Sequence, residues 1–211
     1  ATEGWPSDTY FGARTKKELY FNGESIVIEN QPSAHTDGDS TVYFRKSDVL
    51  VAGDLVTTET FPVFDTSRGG SINGYVDGLN RIIDVTIPKD KQEGGTYVIP
   101  GHGRLCDEAD VVFIRDMATI LRDRMANWLK QGQTLQQVKA ASPVLDYEGR
   151  YGAQTGPWTT NQFVEGMYAD LSRTVKPTPP PAARPAARPA TWATALIDGT
   201  NAVSARLTAR N

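Results

Sequence analysis

The sequence predicts an α/β protein. Short β-favouring runs bounded by turn formers fill the N-terminal half, and helical spacing of apolar residues takes over after Asp107. Asn22-Gly23, the pair best suited to a tight turn with positive φ, marks a hairpin between Leu19–Phe21 and Ile26–Ile28.

The elements follow in order. A loop from Pro32 to Asp39 leads into a strand at 40–45, a turn at Lys46-Ser47-Asp48, and an apolar strand, VLVA, at 49–52 that Gly53-Asp54 is expected to end. VLVA has no polar face, as in a strand buried on both sides of its sheet. From Ser71, residues Ile72, Val76, Leu79, Ile82 and Ile83 recur at helical spacing, although Gly74 and Gly78 weaken that helix by propensity. Thr96–Ile99 reads as a further strand, stopped by Pro100-Gly101. The strongest helix follows, with Asp107 as cap and Asp110 in the first turn. Its stripe runs through Ile114, Met117, Ala118, Leu121, Met125, Trp128 and Leu129 to Gly132. Two more helices are predicted at 134–141 and 160–171, and no internal repeat is present.

The domain is expected to span 1–173. Residues 174–211 open with the Pro/Ala/Arg run KPTPPPAARPAARP, whose composition favours extended, disordered chain over a core. This tail carries five Lys and Arg against Asp198 alone, so within a net charge of -3 the body is distinctly acidic. An acidic body argues against a nucleic-acid surface, and no run approaches the ~18 apolar residues of a membrane span. The single cysteine, Cys106, permits no internal disulfide. A start at Ala1 without a signal-like segment implies a processed chain or a piece of a longer one, and leaves cytoplasm and periplasm both open.

The chain has only two histidines, and both sit among turn formers after short apolar segments. His35, Asp54 and His102 each lie at the downstream end of a β segment and are nitrogen or oxygen donors suited to zinc. Thr36, Asp37 and Asp39 are placed to orient such ligands or to fix the loop. The plainer reading makes the histidines loop residues bonded to backbone and Asp54 a turn or capping residue.

Three motifs weigh on that choice: Ala34-His35-Thr36-Asp37-Gly38-Asp39, Gly53-Asp54 and Pro100-Gly101-His102-Gly103. In order and placement they resemble the C-terminal half of the metallo-β-lactamase-fold hydrolases, over about Leu19 to Leu171. The resemblance implies a partial metallo-β-lactamase fold, half of an αββα sandwich with C-terminal helices. It also implies zinc as cofactor, with His35 on a first ion, Asp54 bridging, and His102 on a second. In the complete family site, two zinc ions generate the attacking hydroxide and polarise the bond it cleaves. The substrate would be a small molecule with an ester, lactam, thioester or related bond.

The family's H-x-H-x-D-H segment is absent, and two histidines in total cannot supply it. The expected consequence is an incomplete centre with no catalytic residue of its own. A complementary N-terminal half, or a homo-oligomer, would then cover the apolar surface left bare by half a sandwich. The alternative is an inactive remnant or binding module on the same fold.

Candidate substrate contacts are Phe61 and Phe64, which follow the bridging Asp, together with Asn73 and Arg104. Packing over the core is the competing role for the two rings, and a carboxylate pair for Arg104. Gly69–Gly74 matches no nucleotide-binding fingerprint and reads as a helix start capped near Ser71. Cys106 is taken as structural.

Overall fold

Asn22 and Gly23 both adopt positive φ, 51° and 78°, and turn strand β1 (Lys16–Phe21) back onto β2 (Glu24–Asn30) in the expected hairpin. The computed structural model describes residues 4, 9, 10, 12 and 15–178. The chain continues through β3 (Ser40–Phe44), turns at Asp48 with φ 52°, and runs back as β4 (Val49–Thr57). Helix α1 (Ile72–Val85) then crosses over to β5 (Tyr97–His102), which pairs parallel to β4. The result is one mixed five-stranded sheet in the order β1-β2-β3-β4-β5.

Two expected strand ends are corrected. β4 does not stop at Gly53-Asp54 but runs on to Thr57, with register shifts on either side of Gly53. Gly53 takes φ 55°, so the strand absorbs it as a bulge, the device that re-aims a side chain at a sheet's rim. β5 likewise continues past Pro100, whose missing N–H is tolerated because β5 is an edge strand.

Helix α2 (Glu108–Lys130) starts where the sequence places it. The Asp107 side chain accepts from the Asp110 amide, and the Asp110 carboxylate accepts in return from the Asp107 amide. Helices α3 (Leu135–Ala140) and α5 (Thr160–Ser172) also lie at expected positions, whereas α4 (Leu145–Tyr151) carried no sequence signal of its own. Asp170 of α5 is buried, and its carboxylate accepts from the Ile72 amide at 3.0 Å, closing an unpaired donor at the start of α1. Beyond α5, Val175 packs at the core edge and the Thr178 amide donates to Lys130 O at 2.7 Å. The rest of the expected tail, from 179, lies outside the described residues.

The two faces of the sheet differ. Leu50, Ala52 and Val98 turn toward α1 and α2 and join one core with Leu79, Ile114, Met117 and Phe163. The opposite face carries two cross-strand apolar rows, Ile99–Val51–Val42–Ile28 and Tyr97–Val49–Phe44–Ile26–Leu19. None of these residues joins that cluster among the described residues; Ile26 is nonetheless buried, at 8%, while Ile99 is 39% exposed. No described helix is long and apolar enough to cross a membrane.

Candidate metal centre

His35 is carried by the β2–β3 loop, and that loop is held at both ends. The Gln31 amide donates to Asp39 O at 2.8 Å, while Asp39 Oδ2 accepts from the Thr36 amide at 2.7 Å. The Asp65 amide donates to His35 O at 2.7 Å, and the Ser71 amide to Ser33 O at 3.0 Å. The glycine-rich stretch makes this docking possible. A Cβ on Gly70 would overlap His35 O, and one on Gly74 would overlap Ser33 O. These glycines therefore seat the loop against the start of α1, a role invisible in their spacing, while Ser71 caps the helix as expected.

The bulge at Gly53 presents Asp54 between the two histidines. Its Oδ2 lies 3.8 Å from His35 Nδ1, and its Oδ1 lies 3.5 Å from His102 Nε2. Gly101, beside His102, leaves room for that carboxylate, since a Cβ there would overlap Asp54 Oδ1. On its other side, His35 Nδ1 lies 3.4 Å from Asp39 Oδ1. Exposure rises across the row: the side chains of His35, Asp54 and His102 are 20%, 45% and 71% exposed.

The fit to zinc is incomplete. The two imidazoles address different oxygens of one carboxylate. No group of three or more His, Cys, Asp or Glu among the described residues forms a metal-holding cluster. A zinc centre normally draws on three or four protein ligands.

The other site candidates are dispersed. Phe61 is 1% exposed and stacks on Phe163, with ring centroids 4.7 Å apart, so its ring is core rather than cleft. Phe64 is 3% exposed but lines a cleft of about 420 Å³ that also includes His35. Asn73 is exposed in the first turn of α1. Arg104 is bound to the Asp110 carboxylate and to Leu105 O, and that pairing raises its pKa. Burial pushes the Cys106 thiol to about 11, in keeping with a structural residue. The sequence reading missed Trp158, which lines the same cleft as Phe64; an aromatic in a Gly/Pro-rich connection was its only signal.

No protein-family model matches the sequence, and no curated protein matches it significantly. Solved structures do share its fold. A sec-alkylsulfatase from Pseudomonas sp., described as stereoselective and inverting, superposes with a TM-score of 0.52 at 14% identity. The match covers 76% of this chain and 25% of that one. A double mutant of the sec-alkyl sulfatase PisA1 gives 0.54 at 12% identity, over 79% and 26%. A metallo-β-lactamase from Pontibacter korlensis overlaps less, at 0.42 and 16% identity over 55% and 50%. The chain thus spans between a quarter and a half of the length of these structures. What it shares with the two sulfatase structures is a fold, which in this chain is one mixed β-sheet with helices packed on one face and at its C-terminal end.

Proposed function

We propose that this segment is a non-catalytic part of a metallo-β-lactamase-like fold, presenting His35, Asp54 and His102 as one side of a metal centre without completing it. One observation carries the reading: among the described residues, no group of three or more His, Cys, Asp or Glu closes a metal-holding set at His35, Asp54 and His102. A second reading, favoured by the apolar sheet face outside the main core, is a zinc-dependent hydrolase of ester, lactam, thioester or related bonds. In that case a complementary segment supplies both the second layer and the missing donors.

Paired measurements on the 211-residue chain test this: zinc calorimetry, and turnover of a panel of β-lactam, lactone, thioester, alkyl sulfate and phosphodiester substrates. The expected result is weak zinc binding and no zinc-dependent turnover. Robust turnover by the chain alone would overturn the proposal. Turnover gained on joining a segment that bears H-x-H-x-D-H, and lost again in His102→Ala, would establish the second reading.

A further inference from the structure

The cleft beside His35 lies between the segment that follows β4 and helix α5. Its volume, about 420 Å³, falls in the range of small-molecule sites. Phe64 and Trp158 meet there edge to face, with ring planes at 76° and centroids 6.3 Å apart, so they form a right-angled corner. Gly166 of α5 sits at that corner: a Cβ on it would lie 3.7 Å from both rings. Its missing side chain keeps the corner open.

The charge of the lining is one-sided. Asp65 and Glu165 line the cleft together with His35, and no Lys or Arg does so among the described residues. Their partners stand outside the lining. Arg68 is 3.4 Å from Asp65, and Lys139 is paired with Glu165. An anion entering here meets two carboxylates, whereas a cation meets those carboxylates and the half-buried Trp158 ring, with the buried Phe64 ring as an apolar wall behind it.

We propose that this cleft binds a small organic cation with an apolar body, an aryl- or alkylammonium group, seated in the corner between Phe64 and Trp158. The site needs no metal and does not depend on whether His35, Asp54 and His102 ever hold one.

The test is an NMR titration of the full, metal-free chain with benzylamine and with benzoate, a probe of similar size and opposite charge. Benzylamine is expected to bind about tenfold more tightly, the scale of one desolvated cation–π contact, and to shift the Trp158 indole resonance. Gly166→Leu fills the corner and is expected to abolish binding. Gly166→Ala adds only a methyl at ordinary contact distance, so it keeps the fold and should weaken binding by about threefold, less than 1 kcal/mol. The double variant Asp65→Asn, Glu165→Gln should remove most of the preference for the amine, Asn still capping the short helix at Thr66–Arg68. No benzylamine binding, equal or tighter benzoate binding, or undiminished affinity in both Gly166 variants would overturn the proposal. With no metal present, none of these results bears on the incomplete centre.

Discussion

Gly101 and Asp54 pack so closely that a Cβ on the glycine would overlap the carboxylate oxygen facing His102. The same economy recurs where the His35 loop meets α1, at Gly70 and Gly74. Intrinsic propensity says Gly74→Ala should stabilise α1 by ~1 kcal/mol. We expect the opposite, a loss of ~1–3 kcal/mol, because the new methyl meets the Ser33 carbonyl, a backbone atom that cannot swing aside. Urea denaturation of Gly74→Ala and Gly101→Ala measures the sign directly, and stabilisation in either would contradict the packing described.

Asp107 caps α2 and pairs with Lys89 at 2.6 Å. The Lys89 ammonium, the main cause, and the Asp110 amide hold its carboxyl below the usual carboxylate range, against a smaller upward effect of burial. A depressed folded-state pKa means the stabilisation is present above the unfolded value, ~3.9, and is lost as pH falls through the lower folded value. Asp107→Ala should therefore cost ~1 kcal/mol at pH 7, and the gap to the parent should narrow below about pH 4, toward what the neutral cap alone contributes. Asp107→Asn keeps the cap and should cost less, ~0.2–1 kcal/mol, since the Lys89 side of the pair is largely exposed. Denaturation midpoints of the three proteins across pH 3–7 check both the order and the pH window.

Tyr75 is fully enclosed in the core, and its hydroxyl has no hydrogen-bond partner among the described residues. Burial is the chief reason its pKa is raised far above the usual phenol range, with Tyr151, Asp39 and Asp54 adding to it. An unpaired buried hydroxyl costs ~1–3 kcal/mol, so Tyr75→Phe should raise stability by about 1 kcal/mol, a sign few core substitutions share. A lower denaturation midpoint for Tyr75→Phe would show that the hydroxyl is satisfied after all.

The two sheet faces should respond unequally. Leu50→Ala, on the helix side, should cost ~2–5 kcal/mol as a core cavity. Ile99→Thr, on the apolar face outside the core, should change stability by no more than ~0.5 kcal/mol, Thr keeping the β preference. Comparable losses at the two positions would mean that the second face is covered in solution.

Local sequence carried much of the fold. Asn22-Gly23 marked the hairpin, Ser71 and Asp107 marked helix starts, and the 3.6-residue stripe of α2 was legible because propensity, cap and burial all act within a few residues. Helix α4 was not legible, since it lacks a side-chain cap and is short, its packed residue Tyr151 meeting Phe61 from far along the chain. The extension of β4 through Gly53 was missed for a related reason. A glycine that ends a strand and one that bulges within it look alike until the neighbouring strand sets the register.

The candidate site divides along the same line. The identities of its donors, two histidines and an aspartate at strand ends, were readable from composition and turn chemistry. Their meeting was not: it rests on contacts between residues far apart in sequence, such as Asp54 with His102, Gly70 with His35 and Asp170 with Ile72. Nor could spacing show that one carboxylate would face two imidazoles through separate oxygens, or that Phe61 would be swallowed by the core while Phe64 and Trp158 framed a cleft. Such facts belong to the tertiary structure because close packing assigns each side chain its neighbours only once all the elements have docked.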